Sequence, residues 1–294
     1  MEVPSLQGLG FEHGVLTQER AKEVAEKRKS IKIGVPKEAS DEERRVAISP
    51  AGVATLVSNG HEVVVGEGAG EAAHFSDTEY AEVGGTIARS SSELYSNSDL
   101  IVKVGPPTDE EVVLMHEKQV LISALHLGDT SPTFLKKLMD LGVTGIGFEF
   151  IRDSEGTLPI VRMMHEIMGT MAVQTAARYL ESAEGGKGVM LGGISGVPPS
   201  NVVILGAGVV GEWAARTALG FGAHVIVLDN DLGKLRTIEH YLGRGITTAM
   251  ATEQYISQAL LTADVVVGAM MAAGQKAPIM VTEDMVASMR DGSV

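Results

Sequence analysis

From Ile31 onward, short β-branched runs alternate with longer segments of helical character, the pattern that builds parallel sheets flanked by helices. In the first half the predicted strands are IKIGV, HEVVVG, DLIVKV, QVLISAL and TGIGFEF. Punctuation marks the helices between them. Ser49 and Pro50 read as N-cap and first residue of a helix that ends before Gly60, and Ser131, Pro132 and Gly142 repeat the arrangement. Ser76 with Glu79 reads as a capping box, so another helix is predicted after His74. Ahead of Ile31, TQERAKEVAEKRK predicts a helix with Thr17 at its N-cap and mixed charges on a solvated face.

The stretch from Ile160 to Ala183 is rich in Ala and Met, contains no proline and runs into the glycines of EGGKG, so it predicts one long helix. A second alternating series follows: strand NVVILG, a helix after Gly211, strand HVIVLD, a helix near Lys234, strand ITTAM, a helix toward Leu260 and strand DVVVGAM. The fold class is α/β. A helical extension is expected over residues 1–30, a Rossmann-like substrate domain over 31–159 and a Rossmann dinucleotide-binding domain over 160–294. A six-stranded Rossmann sheet needs further chain after MVASMRDGSV, so a C-terminal truncation is expected.

Composition narrows the function classes. A chain of 294 residues, 44% hydrophobic and 21% charged, has ample material for two folded domains. It contains no cysteine, which removes disulfides, thiolate nucleophiles and thiolate-bound metals, suits a reducing interior and points to a cytoplasmic location. No metal site is assigned. The segment MEVPSLQGLGFEHGVLTQER lacks the basic and apolar regions of a secretory signal, and no apolar run approaches about 18 residues. A formal charge of −14 argues against nucleic acid or an anionic membrane as partner, since both would repel the chain.

The sharpest motif is Gly206-Ala207-Gly208-Val209-Val210-Gly211, set between the apolar strand VVIL and the helical EWAARTAL. Gly206 permits the tight turn, Gly208 lets a pyrophosphate approach the backbone and Gly211 allows close helix–strand packing. Asp229, at the end of HVIVLD, stands where an acid would bind the adenosine ribose hydroxyls. No arginine follows it immediately in DNDLG, so NAD is favoured over NADP. The bland alternative is a glycine turn in a flavodoxin-like domain without nucleotide. Lys234 reads either as an adenosine contact or as a solvated lysine on a helix face.

Arg45, Lys103 and His126 are the substrate-side candidates. Lys103 and His126 end apolar strands, where open parallel sheets present ligand-contacting groups, and a guanidinium at Arg45 suits a carboxylate. By residue type alone they also read as a snorkelling lysine, a structural histidine and a surface ion pair.

The signatures IGVPKE, ERRVAISPAGV, DLIVKVGPP, SALHLG, GKGVMLGGISGVPPSNVVILGAGVVG and VIVLDNDLGKLR together resemble the alanine dehydrogenases, a family that includes the NAD-binding subunit of proton-translocating transhydrogenase. The resemblance runs from Ile31 to Val294. It implies substrate-binding roles for Arg45 and Lys103 and a catalytic role for His126. It also implies backbone contacts to NAD at Val209 and Val210, a ribose contact from Asp229, an adenosine-side contact from Lys234 and a cofactor-lining segment at Met270 and Met271. His165 stands where the family often carries a serine near the nicotinamide, and Ser195 replaces a common proline. The family pattern continues beyond Val294 with a segment that supplies a catalytic aspartate.

The activity implied is reversible oxidative deamination of L-alanine by NAD to pyruvate and ammonium, in a homo-hexamer. Arg45 would hold the carboxylate, Lys103 would polarise the developing carbonyl or bind the carboxylate, and His126 would shuttle protons. The rivals are a transhydrogenase-like subunit, an opine-type reductase and an NAD-binding module without turnover. The motif SALHLG argues against the first, because those subunits lack the histidine.

Overall fold

The computed structural model describes residues 30–128, 130–270 and 279–294. The helix expected around Thr17, within the 1–30 extension, and the contact expected from Met271 lie outside the described residues. The chain divides between Phe148 and Glu149 into two compact units.

The first unit is built on six parallel strands, β1 (Lys32–Val35), β2 (Glu62–Gly66), β3 (Thr86–Ala88), β4 (Leu100–Val102), β5 (Val120–Ser123) and β6 (Thr144–Gly147). Their order is β3-β2-β1-β4-β5-β6, so the strand order reverses between β1 and β4. Ligands bind at the carboxyl ends of strands beside such a switch point. Ile33, Val35, Val63, Val65 and Ile101 fill the sheet's buried positions, covered on one face by Val53 and Tyr80 and on the other by Leu94 and Tyr95. The helices start where the sequence punctuates them. Ser49 caps helix α1 (Pro50–Ser58) through Gly52 N, and Ser76 and Glu79 form a reciprocal capping box on α2 (Asp77–Glu82). Strand β3 is a difference: three residues, partly exposed, are too few to show a period of two. DLIVKV and TGIGFEF also stop early, at Val102 and Gly147. In the second case Phe148–Phe150 turns into a short 3₁₀ helix.

The remaining helices of this unit are α3 (Ser91–Ser96), α4 (Asp109–Leu114) and α5 (Pro132–Asp140). Three of these capped starts, Ser90, Thr108 and Ser131, receive the backbone N–H three residues on.

The second unit carries the long helix α6 (Pro159–Tyr179) and four parallel strands among the described residues: β7 (Asn201–Leu205), β8 (His224–Asp229), β9 (Ile246–Met250) and β10 (Val265–Gly268). The order is β10-β7-β8-β9, with the switch between β7 and β10. Val202, Val203, Ile204, Val225, Val227 and Leu228 are buried, as expected of strands covered on both faces. Beside β10, Val266 N donates to the Val294 carbonyl and Val294 N to that of Asp264, which extends the hydrogen-bonded ladder past the fourth strand. Helix α7 (Val209–Gly220) begins at Val209, earlier than the expected start after Gly211, because Gly208 is extended and serves as N-cap. Among the described residues no helix is long and apolar enough to cross a membrane.

Helices α6 and α7 approach closely at Gly169, where any side chain would collide with the Val210 carbonyl and crowd Ala214 N. This contact holds the His165 end of α6 beside the first turn of α7, since residues four apart share a helix face. Gly169→Ala is expected to lower the unfolding free energy by about 1–3 kcal/mol through overpacking. A denaturant midpoint equal to that of the unaltered protein would show that the two helices have room to spare.

Candidate functional site

At the carboxyl edge of the second sheet, the strand-to-helix turn is fixed by two steric demands. Gly206 has φ 112°, and a side chain there would meet the Ala269 carbonyl, while one on Gly211 would collide with the Gly206 carbonyl. Around Gly208, by contrast, the space a side chain would take is open. Asp229 pins this turn from below. Its Oδ2 accepts from Ala207 N at 2.7 Å and its Oδ1 from Asp231 N at 2.8 Å, and the residue is 6% exposed.

His165, Gly206, Gly208, Val209, Val210, Asp229, Lys234 and Met270 all line one cavity of about 400 Å³, and Gly211 is buried in the first turn of α7. Sequence reasoning missed Met168, Gly268 and Ala269, which line it too. Met168 follows His165 by three residues on α6, and Gly268 and Ala269 end the strand beside β7, so helix spacing and the switch-point rule would have found them. The lining suits the pyrophosphate and ribose of a dinucleotide. The Gly208 cap has no side-chain bond to the helix, so the first N–H groups of α7 remain available to a pyrophosphate, and the Asp229 carboxylate retains lone pairs for ribose hydroxyls.

At the carboxyl edge of the first sheet, His126 follows β5 with φ 45°, a left-handed conformation that is uncommon for a residue with a side chain. The Thr130 hydroxyl donates to the carbonyls of Leu125 and His126 at 2.7 and 2.9 Å and so holds the turn. His126 lines a cavity of about 500 Å³ with Pro106, Pro107, Asp109, Thr130, Ser131 and Phe134. Backbone strain of this kind gathers at functional positions.

Arg45 and Lys103 do not line that cavity. Arg45 lies on the loop after β1, half-exposed, and its Nε and Nη2 donate to the two oxygens of Glu43 at 2.8 and 2.6 Å. This fork holds the Glu43 carboxyl below the usual range.

Lys103, expected to contact substrate, is 1% exposed, donates to Glu111 Oε1 at 2.5 Å and sits 3.8 Å from Glu38 Oε2. One of its three N–H donors is committed to Glu111, and the two carboxylates balance the buried charge. Tyr95, whose hydroxyl is pushed up by burial and by the charge of Glu111, stays protonated and donates to Glu111 at 3.1 Å.

Glu38 is a further residue that sequence reasoning missed. It follows β1, and its carboxylate accepts from Val104 N at 2.7 Å and Gly105 N at 3.3 Å. Burial pushes its carboxyl above the ordinary value, against the lowering effect of Val104 N–H, Lys103 and Gly105 N–H. A lysine buried at a strand end requires carboxylate partners, and that requirement was the available signal.

Two α/β units built on parallel sheets, one with a glycine turn over a buried aspartate and the other with a strained histidine at its carboxyl edge, define a protein of dehydrogenase-type fold. Family comparison gives the particular relationship. Residues 34–168 match the model described as Alanine dehydrogenase/PNT, N-terminal domain, and residues 172–294 match Alanine dehydrogenase/PNT, C-terminal domain. The chain belongs to the alanine dehydrogenase/PNT family. It is 43% identical over 262 residues to the alanine dehydrogenase of Methanococcus maripaludis, an alignment covering 89% of this chain and 70% of that protein. A solved L-alanine dehydrogenase superposes with a TM-score of 0.85 at 39% identity, covering 90% of this chain and 72% of that one. A transhydrogenase from Sinorhizobium meliloti superposes with a TM-score of 0.79 at 25% identity, covering 89% and 76%.

Because the native carboxyl of Glu38 is raised, the folded state holds its proton more tightly than the unfolded state does. Its ionisation therefore costs stability, a cost absent below the unfolded value and complete above the folded one. Glu38→Gln is expected to be more stable than the unaltered protein at neutral pH, with the difference closing as pH falls toward 4.5. Thermal melts across that range check it; a Glu38→Gln protein less stable at neutral pH would mean that the ionised carboxylate stabilises the fold.

Proposed function

We propose that this chain catalyses the NAD-dependent, reversible oxidative deamination of L-alanine. The balanced reaction takes L-alanine, NAD and water to pyruvate, ammonium, NADH and a proton. The observation that carries the reading is His126, held in a left-handed turn beside an open cavity at the carboxyl edge of a sheet whose relatives include alanine dehydrogenases. Bound NAD supplies the hydride acceptor.

The chain's own residues do the rest. The glycine turn and the start of α7 receive the pyrophosphate, and Asp229 receives the ribose hydroxyls. His165, Lys234 and Met270 line the same cavity and complete the grip. Arg45 holds the α-carboxylate of alanine, a match for the planar guanidinium once Glu43 shares or yields its fork. His126 takes a proton from the water that adds to the imine and returns it to the departing amine. Lys103, ion-paired with Glu111 at the end of β4, polarises the developing carbonyl or binds the carboxylate, as the resemblance implies. A cytoplasmic homo-hexamer belongs to the same proposal, on the resemblance and the absence of cysteine.

The transhydrogenase-like reading is weaker, with the solved transhydrogenase at 25% identity against 39% for the solved L-alanine dehydrogenase. NADH formation followed at 340 nm with alanine is the test. Alanine-dependent reduction is expected in the unaltered chain, and in His126→Ala a loss of roughly 10²–10⁴-fold in kcat with NADH binding retained. NADH binding without amino-acid turnover would favour the transhydrogenase-like reading, and full activity in His126→Ala would remove the proton-transfer role.

A further inference from the structure

The buried cluster around Lys103 holds one carboxylate more than its charge requires. Lys103 is neutralised by Glu111 at 2.5 Å, and Glu111 is further supported by the Tyr95 hydroxyl. Glu38 is the surplus. Its side chain is 7% exposed, and its oxygen nearest Lys103 stands at 3.8 Å, beyond hydrogen-bonding distance. Removing an ionised carboxylate from water is costly, so a second one beside an ammonium already paired needs another reason to be there.

The partners of Glu38 give that reason. It belongs to the loop that follows β1 and leads to Arg45, whose charge its own field favours. Its hydrogen bonds go elsewhere, to Val104 N and Gly105 N at the end of β4. Those two residues lead directly into Pro106 and Pro107, which wall the His126 cavity. One side chain therefore fastens the loop bearing Arg45 to the loop that shapes the cavity, across the point where the strand order reverses.

We infer that Glu38 is a positioning residue of the substrate site, a latch that sets Arg45 and the Pro106-Pro107 wall in register for the amino-acid substrate. This rests on the proposed function. Glu38 touches neither substrate nor cofactor; it acts through Val104, Gly105 and Arg45. Lys103 and Glu111 form the neutral pair against which it is packed.

Glu38→Gln tests the latch. The amide keeps the size of the side chain and one acceptor oxygen, and Glu111 still balances Lys103, so a folded protein is expected. KM for alanine and for pyruvate should each rise by about tenfold, because the loops that present the substrate lose their common anchor. The value of kcat and the Kd for NADH should stay within about twofold, since the latch makes no contact with the reacting atoms or the cofactor cavity. Amide exchange at Val104 and Gly105 should quicken. A purely structural role would move the melting temperature and leave KM unchanged, and a folded Glu38→Gln protein with unaltered KM overturns the inference.

If Glu38→Gln does not fold, Glu38→Asp is read in its place. Its carboxylate stops one methylene short of the two N–H groups, so a raised KM supports the latch and an unaltered KM overturns it. If the unaltered chain shows no turnover with alanine, the proposed function falls and this inference with it. If it turns alanine over and the variant matches it in KM, only the latch falls.

Discussion

Asp229 in one unit and Glu38 in the other make the same contact: a buried carboxylate at the end of a parallel strand accepts backbone N–H groups from a loop at the neighbouring strand. For Asp229 the donor across the sheet is Ala207 N, inside the glycine turn; for Glu38 the donors are Val104 N and Gly105 N. At the carboxyl edge of a parallel sheet the ladder stops and the chain departs in irregular loops, whose N–H groups need partners once buried. A carboxylate meets two at once and strengthens each bond through its charge. Both loops are fixed by a side chain that need not itself react.

The glycine turn of the second unit was legible because its demands are local. Gly206 needs a positive φ and Gly211 a side chain of no size, and both demands are met within six residues of sequence between a strand and a helix. Asp229 stands at the end of the next strand, a position set by the length of one βαβ unit. The capping residues Ser49, Ser76 and Ser131 are local for the same reason, and each caps the helix it was expected to start.

The substrate half was harder to read because its contacts are remote. The bond between Val104 and Glu38 joins residues 66 apart, and it becomes visible only once β1 and β4 are neighbours. Lys103 illustrates the consequence. A lysine at the end of an apolar strand reads as a ligand-facing group, and the sequence does not show that the capping box of Thr108 and Glu111 brings a carboxylate onto its ammonium. β3 escaped for another reason, being only Thr86–Ala88 and partly exposed.

In the proposed reaction the Cα hydrogen of alanine passes as hydride to NAD, with His126 managing protons and Asp229 holding the cofactor's glycine turn in shape. Deuterium tracing tests it most directly. With alanine deuterated at Cα and NAD in ordinary water, the account predicts NADH that carries the label at C4 of its nicotinamide, and unlabelled NADH when ordinary alanine reacts in heavy water. Labelled NADH in the second experiment, or NADH free of label in the first, would contradict direct hydride transfer and the account built on it.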